Sequence, residues 1–365
     1  MSKAGLELVA LSKAYGERCV VDTLSLTLPK GELLTLLGPS GCGKTTVLRI
    51  IAGFTKPDTG EVLIDGDIVT GLAPEKRPTS IMFQSYALFP HMTVFENIAF
   101  GLRARAQKRE EIRDQVNEMI ALVGLGAHVD YYPSQLSGGQ KQRAALARSL
   151  IIEPKVLLLD EPFAALDQAL REYMQIELRK LQQKLGTTMV VVTHDQNEAQ
   201  ILSDVIAVMN QGCIEQFGDP ATIYERPNTK FVGTFMGVSN FLEGELLTRE
   251  NKSFVRFGEH HLQLAEVPAG YHPGPVTVAI RQESFLVEPV VGPSNPSVGT
   301  ADSGATNILV GNVRYGRQVA GRTFLEVETP IGLIQTVVPR PTGTYATGTR
   351  VSLSVQPRDM ILVSE

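Results

Sequence analysis

The sequence predicts an α/β domain built around a parallel sheet, followed by a smaller all-β domain. Two observations predict the first domain: a glycine-rich motif between an apolar strand and a helix, and further apolar strands that end in polar residues. Strands that are apolar throughout are typical of parallel sheets, which are covered on both faces. The third observation is a change near residue 235, beyond which short apolar segments alternate with Gly and Pro. A chain of 365 residues has room for two such domains.

The glycine-rich motif spans Gly38–Thr45 and has the pattern Gly, four residues, Gly-Lys-Thr. The apolar segment Leu33–Leu37 precedes it, and Thr46–Ile51 is predicted to continue as a helix. Strand, glycine loop and helix together indicate a phosphate-binding loop, whose backbone N–H groups and helix N-terminus surround a phosphate. Lys44 is predicted to reach the β- and γ-phosphates, and the Thr45 hydroxyl to ligate Mg²⁺. A simple glycine turn would need neither the lysine nor the threonine.

Two carboxylates follow a second apolar strand, Val156–Leu159. Asp160 is predicted to hold Mg²⁺ directly or through water, and Glu161 to polarise an attacking water. A solvated acidic turn is the alternative interpretation. His194 follows a third apolar strand, Met189–Thr193, and can reach the same zone, because ligands bind at the carboxyl ends of parallel strands. A lone histidine at such a place is more often structural.

A helical insertion is predicted over about residues 85–155, where strand and helix do not alternate. Within it, Leu136–Gln140 (Leu-Ser-Gly-Gly-Gln, called here the signature segment) opens a helix for which Ser137 is a good N-cap. Glycines at a helix start are unfavourable by up to about 1 kcal/mol each. Gly138 and Gly139 therefore suggest the close approach of another group to the backbone, although an ordinary glycine turn is the alternative.

Two further residues are candidates on weaker grounds. Tyr15 lies beside the turn of a predicted antiparallel hairpin, Leu6–Leu11 and Val20–Leu28, and its ring can stack on an adenine. A half-buried strand tyrosine is an equally good interpretation. Gln84 ends the short predicted strand that begins at Ile81, and we expect it near the Mg²⁺.

Composition excludes several classes of function. The net charge of −5 gives no support to nucleic-acid binding by bulk electrostatics. The three cysteines are widely spaced, which predicts reduced thiols in a cytosolic protein rather than disulfides or a metal site. No apolar run approaches the ~18 residues of a membrane span. If the protein works at a membrane, we expect another subunit to cross it.

Five features stand in an order that resembles the ATP-binding subunit of an ABC transporter over about residues 6–235. They are Gly38–Thr45, Gln84, Leu136–Gln140, Val156–Glu161 and His194. The signature segment is the decisive one, since other phosphate-loop families lack it. The resemblance implies ATP hydrolysis with Mg²⁺, a Q-loop at Gln84 and a switch role for His194 at the γ-phosphate. It also implies that Tyr15 stacks on adenine and that Asp167 is the D-loop aspartate.

The resemblance gives three sets of expected site residues. Those expected to contact nucleotide are Tyr15, Gly38, Pro39, Ser40, Gly41, Cys42, Gly43, Lys44, Thr45, Thr46, Ser137, Gly138, Gly139, Gln140 and Asp167. Those expected to act in hydrolysis are Lys44, Gln84, Glu161 and His194. Those expected at Mg²⁺ are Thr45, Gln84 and Asp160. By the same resemblance, the signature segment faces the phosphate loop of a second copy in an ATP-sandwich dimer.

Two segments resemble importers that work with periplasmic binding proteins. The first is Phe83–Val94, and the second is the C-terminal region, which is similar to a transport-associated OB-like domain. We therefore expect a cassette over 1–235 and an OB-like β domain over 236–365. In the segment Ala279–Glu283, Gln282 stands where many relatives have proline, which leaves a ligand role for this segment open. A loop rich in Pro, Gly and Ser is predicted over Pro289–Ala305.

The partners implied are integral membrane permease subunits and, indirectly, a solute-binding protein, with the chain at the cytoplasmic face of the inner membrane. Polyamine importers such as those for spermidine and putrescine are the first expectation, followed by ferric-iron and aminoethylphosphonate importers. A soluble ABC ATPase with a role outside transport is the alternative from another class. Such proteins usually carry two cassettes or a long coiled coil, and neither is predicted here.

Overall fold

The computed structural model describes residues 4–105, 107–249, 252–268, 270–290, 299–300, 306–339 and 345–364. The chain divides into two compact units between Ile223 and Tyr224. The boundary predicted near residue 235 falls at the end of a short helix, Lys230–Phe235, and stays a prediction. Among the described residues, no helix is both long enough and apolar enough to cross a membrane.

The first unit contains most of the helices. The helices of the chain are α1 (Lys44–Ala52), α2 (Val94–Ala104), α3 (Arg109–Leu122), α4 (Gly138–Leu150), α5 (Gln168–Leu185), α6 (Gln196–Leu202), α7 (Pro220–Glu225) and α8 (Lys230–Phe235). The strands of the first unit are β1 (Ala4–Tyr15), β2 (Arg18–Pro29), β3 (Leu33–Leu37), β4 (Thr59–Ile64), β5 (Asp67–Ile68), β6 (Thr79–Met82), β7 (Val156–Asp160), β8 (Thr188–Thr193), β9 (Val205–Asn210) and β10 (Cys213–Gly218).

A mainly parallel sheet with the order β10-β9-β3-β8-β7-β6 forms the centre of the first unit. β3 and β7 both pair in parallel with β8, and β10 alone runs antiparallel to its neighbour, β9. Leu37 lies opposite Thr193, and Asp160 lies opposite Val192. The phosphate loop, the two carboxylates and His194 therefore leave the sheet at one edge, as the predicted strands required.

Both faces of this sheet are covered, which explains why its strands are apolar throughout. All five residues of β3 are buried. Leu34 and Leu36 pack into a core with α1 and the antiparallel sheet β2-β1-β4-β5, whereas Leu33 packs into a second core with α4 and α5. Neighbouring residues point to opposite faces of a strand, so each face has its own core. The predicted hairpin is confirmed as β1 and β2.

The helical insertion consists of α2, α3 and α4. α3 buries one apolar face, at Ile112, Val116 and Ile120. α2 was not predicted, since Pro90 and several aromatic residues obscured the helical pattern of its surroundings. A local signal was present: the Thr93 hydroxyl accepts from the Glu96 backbone while the Glu96 carboxylate accepts from the Thr93 N–H, a capping box.

The second unit consists mainly of strands, as the sequence predicts, and also contains α8. Its strands are β11 (Asn240–Arg249), β12 (Lys252–Phe257), β13 (His260–Leu264), β14 (Gly274–Ile280), β15 (Leu286–Pro289), β16 (Gly299–Thr300), β17 (Asn307–Val319), β18 (Arg322–Thr329), β19 (Gly332–Pro339), β20 (Arg350–Val355) and β21 (Met360–Val363). Two antiparallel sheets, β13-β12-β11-β14-β21 and β15-β20-β17-β18-β19, share one apolar core. The sequence did not predict β12, β13, β15 or β16, and β16 falls within the predicted loop. The predicted loop over Pro289–Ala305 lies mostly outside the described residues.

Candidate nucleotide-binding and catalytic site

The phosphate loop is held tightly by backbone from distant parts of the chain. A Cβ on Gly38 would lie 2.3 Å from the Met209 carbonyl oxygen, and one on Gly43 would lie 2.5 Å from that of Val20. Gly43 also has φ 110°, a conformation that favours glycine, and it starts α1 without a side-chain cap. Both positions therefore require glycine. The first free N–H groups of α1 remain available to an anion.

Lys44 lies inside this loop rather than on its surface. It is only 6% exposed, and its Nζ donates to the carbonyl oxygens of Gly38 and Pro39 at 2.7 and 2.8 Å. The buried Cys42 Sγ lies 3.8 Å from the same nitrogen. An ammonium held at the centre of the loop is placed to pair with the anionic phosphates that the loop would surround.

Thr45 and Asp160 meet where α1 and β7 approach each other. The Thr45 hydroxyl donates to Asp160 Oδ1 at 3.3 Å. Burial raises the pKa of Asp160 above its ordinary value, and the neighbouring Glu161 charge raises it further, whereas the Thr45 hydrogen bond, Arg49 and Lys44 lower it. A hydroxyl beside a desolvated carboxylate is a donor set of the oxygen type that Mg²⁺ prefers, so these two residues fit the ion.

Glu161 is the centre of a second cluster of polar side chains. Gln84 Nε2 donates to Glu161 Oε2 at 3.1 Å, and His194 Nδ1 lies 3.2 Å from Glu161 Oε1. Glu161 has φ 45°, an uncommon conformation for a residue with a side chain, and its backbone N–H donates to the Val192 carbonyl. The sheet thus brings together an amide, a carboxylate and an imidazole from the ends of β6, β7 and β8.

The signature segment satisfies its own polar groups. Ser137 Oγ accepts from the Gln140 N–H at 3.4 Å, and Gln140 Oε1 accepts from the Ser137 N–H at 2.8 Å. This confirms Ser137 as the N-cap of α4. A Cβ on Gly138 would lie 3.1 Å from Leu166, and one on Gly139 would lie 3.1 Å from Leu170. The two glycines thus lie against the start of α5.

The remaining candidates occupy exposed or partly buried positions. Asp167 caps α5, where its Oδ1 accepts from the Leu170 N–H at 3.0 Å. Tyr15 ends β1 with 53% of its surface exposed, and the Lys13 ammonium lies 5.5 Å from its ring centroid. Ser40 and Gly41 are exposed, whereas Pro39, Thr45 and Thr46 are partly buried. The Tyr15 ring is thus accessible for stacking on a base.

Sequence reasoning missed side chains that hold the segment after Gln84. Asn97 Nδ2 donates to the carbonyls of Phe89, Met92 and Thr93, and its Oδ1 accepts from the Phe89 N–H. Arg148 donates to the carbonyls of Tyr86 and Ala87, both of which have positive φ. No local pattern indicates the role of Arg148, because it acts on backbone 61 and 62 residues away, whereas Asn97 acts on backbone just before its own helix.

The fold and this site define an ATP-hydrolysing protein of the phosphate-loop class. Residues 21–164 match the ABC transporter family. The chain is 52% identical over 255 residues to the spermidine/putrescine import ATP-binding protein PotA of Mannheimia succiniciproducens, covering 70% of this chain and 68% of that protein. It is 41% identical over 360 residues to the Fe(3+) ions import ATP-binding protein FbpC of Brucella abortus strain 2308, covering 97% and 96%.

A third relative and one solved structure extend these findings. PotA of Rubrobacter xylanophilus is 46% identical over 323 residues, covering 86% of this chain and 85% of that protein. The ATP-binding cassette MJ0796, solved as a dimer in a post-hydrolysis state with ADP and Pi, matches with a TM-score of 0.53 and 34% identity. It covers 59% of this chain and 98% of MJ0796. The chain therefore belongs to the ABC transporter family, among the ATP-binding proteins of importers.

Proposed function

We propose that this ATPase energises uptake of a polyamine such as spermidine or putrescine through a partner permease. The observation that carries the proposal is the similarity to PotA proteins, which reaches 52% identity and, for the Rubrobacter protein, spans 86% of this chain. The permease and the solute-binding protein would contact the solute and select it, whereas this chain would supply the energy from ATP hydrolysis.

Ferric iron is the second candidate, and one observation favours it. The alignment with FbpC spans 97% of this chain, including the second unit, although the identity is lower at 41%. Aminoethylphosphonate import has no such support among these relatives. A role outside transport is disfavoured, since the relatives compared above are import proteins.

The chain should complete its ATP sites by pairing with a second copy. Ser137 is exposed and Gly138 is partly exposed at the start of α4. A Cβ on Gly138 would meet Leu166 of the same chain rather than the phosphate loop. The dimer of the MJ0796 cassette supports an assembly of two copies. In such an assembly this helix start would meet the partner's nucleotide. Hydrolysis per molecule should then rise with protein concentration. Full activity in a strictly monomeric preparation would contradict this arrangement.

Within each site the roles follow from position. Lys44 and the N–H groups at the start of α1 bind phosphates, and Thr45 and Asp160, with Gln84 close to Glu161, would hold Mg²⁺. Bound Mg²⁺ neutralises phosphate charge. Glu161 accepts the proton of the attacking water, His194 orients that water and the γ-phosphate, and Tyr15 stacks on the adenine.

The chain would sit at the cytoplasmic face of the membrane, bound to permease subunits that receive solute from a binding protein. The decisive experiment expresses the chain with its neighbouring permease and binding-protein genes and measures uptake of labelled spermidine, putrescine and ferric iron. We expect polyamine uptake that is lost with Lys44→Ala. Uptake of iron alone would replace the polyamine assignment with the ferric-iron one. Failure to co-purify with any integral membrane protein would favour the role outside transport.

A further inference from the structure

Arg171, in the first turn of α5, joins two loops of the site that are distant in sequence. Its Nη2 donates to the Leu166 carbonyl at 3.2 Å, and its Nη1 donates to Asp195 Oδ2 at 3.4 Å. Leu166 immediately precedes Asp167, and Asp195 immediately follows His194. One guanidinium thus connects the loop before α5 to the turn that carries the histidine.

Asp195 divides its two carboxylate oxygens between separate tasks. Oδ1 accepts from the N–H groups of Asn197 and Glu198 at 2.8 and 3.2 Å and caps α6. Oδ2 is left for Arg171, and the Asp195 N–H donates to Thr193 Oγ1 at 3.0 Å. The His194 backbone therefore lies between Thr193 at the end of β8 and a cap that Arg171 anchors.

The geometry of this pair indicates more than a contribution to stability. The Arg171 and Asp195 side chains are 31% and 28% exposed, and ion pairs near the surface contribute little to stability. Arg171 Nε is buried and, among the described residues, has no hydrogen-bond partner, while Glu198 Oε1 lies 4.0 Å away. A planar guanidinium can direct donors toward three groups at once, which an ammonium cannot.

We propose that Arg171 is a positioning residue for ATP hydrolysis, which fixes His194 relative to the loop before α5 by holding Leu166 and Asp195 together. Leu166 in the same loop lies against Gly138, so a series of contacts connects the signature segment to His194 within one protomer. In the proposed dimer, the signature segment and His194 of one protomer belong to different ATP sites. A nucleotide bound at the signature segment can in this way influence hydrolysis at the site that contains His194. The proposal rests on the role proposed above for His194.

The test uses the full chain with Arg171→Gln, Arg171→Lys, Asp195→Asn and the double variant Arg171→Gln/Asp195→Asn. Asparagine keeps the cap of α6 but removes the ion pair. We expect each neutral variant to lower kcat about 10- to 100-fold, as small misplacements of reacting groups do, with KM for ATP near its original value. The double variant should be no slower than the slower single variant, because residues that act as one unit are not additive. Lysine should restore kcat in part, since it keeps the charge but not the fork.

Arg179→Gln is the matched control, because Arg179 lies on the same helix and pairs with Asp204 away from His194. It should lower the melting temperature while kcat per folded molecule stays unchanged. The same behaviour from Arg171→Gln, additive effects in the double variant, or a rise in KM alone would overturn the proposal. His194→Ala distinguishes failure of the proposed function from failure of this inference. Normal hydrolysis by His194→Ala would overturn the proposed role of His194 and, with it, the inference about Arg171. An inactive His194→Ala beside a normal Arg171→Gln overturns only the inference.

Discussion

The phosphate loop and the signature segment both stand at the start of a helix, yet they are built in opposite ways. The phosphate loop starts α1 from a glycine without a side-chain cap and is enclosed by distant backbone at Met209 and Val20. The signature segment starts α4 from Ser137 with a complete capping box, and its glycines meet only leucine side chains. The first is thus a product of tertiary packing, whereas the second is a self-sufficient helix start suited to meeting another molecule.

The largest expected effect tests whether Glu161, on the phosphate-loop side of the site, is the catalytic base. Glu161→Gln keeps the shape of the side chain but removes the base, so hydrolysis should fall by ~10²–10⁴-fold while ATP binding persists. Measurements of steady-state hydrolysis and of nucleotide affinity, with analytical centrifugation to detect an accumulated dimer, check this. Lys44→Ala is the contrasting variant and should weaken nucleotide binding as well. Normal hydrolysis by Glu161→Gln would assign the base to another group.

A pair of alanine substitutions tests the difference in construction directly. Gly38→Ala places a Cβ 2.3 Å from a backbone oxygen, which cannot move without the strand that carries it, so we expect a loss of about 1–3 kcal/mol in the free energy of unfolding. Gly138→Ala meets only the flexible end of Leu166, and alanine favours helix, so stability should be unchanged or slightly higher.

The two variants should differ equally clearly in activity. Gly138→Ala should lose hydrolysis at all protein concentrations, because the added methyl group would press against Leu166 and shift the helix start that is expected to meet the partner's nucleotide. Thermal unfolding and hydrolysis measured on the same samples check both parts. Equal destabilisation by the two substitutions would show that the signature segment depends on packing as much as the phosphate loop does.

The segment after Gln84, which lies in sequence between the phosphate loop and the signature segment, is expected to affect assembly with the permease, and this effect is smaller. Tyr86 is buried, whereas Leu88, Phe89 and Met92 are partly exposed and lie beyond Gln84. We expect Leu88→Ser, Phe89→Ser and Met92→Ser together to leave the hydrolysis of the isolated chain intact and to reduce assembly with the permease several-fold, because partly exposed apolar side chains are typical anchors of an interface. Ile68→Ser, at an exposed position of β5 outside this segment, is the control. Unchanged assembly and unchanged solute-stimulated hydrolysis would place the docking surface elsewhere.

The smallest effect concerns the pH dependence of stability that Asp160 contributes. The pKa of Asp160 is raised in the folded state, so its ionisation opposes folding at neutral pH. Asp160→Asn should therefore raise the melting temperature of the nucleotide-free protein. The difference should shrink as pH falls through the folded-state pKa of Asp160 toward its ordinary value of 3.8. Unfolding scans between pH 4 and 8, in about half-unit steps, check the sign.

Asp160→Asn should also lose the extra stability that magnesium-bound nucleotide gives, as ligands that bind only the folded state stabilise it.

Asp58→Asn is the control for the pH scans, since the hydrogen bond to Lys13 lowers the pKa of Asp58. This substitution should lower the melting temperature at neutral pH rather than raise it. A melting temperature that falls in Asp160→Asn at neutral pH would mean that the Thr45 hydrogen bond outweighs burial.

The amino-acid sequence alone was sufficient for features whose cause is local. The glycine pattern with Lys44, the apolar run Val156–Leu159 and the N-cap Ser137 each depend on residues that are neighbours along the chain. Backbone conformation, strand burial and capping follow from such neighbours, so these features were predictable. β12, β13 and β15 have weaker local signals. The capping box is the main local signal for α2, because Pro90 and the aromatic residues before it obscure the helical pattern.

Side-chain neighbourhoods that join the ends of different strands needed the folded chain. Gln84, Glu161 and His194 meet because the register of the parallel sheet aligns the carboxyl ends of β6, β7 and β8. No spacing in the sequence encodes that register. Arg171 likewise acquires its place from the approach of α5 to α6. The sum of many apolar contacts sets how elements lie against each other, so individual polar contacts between distant residues are decided last and by the whole fold.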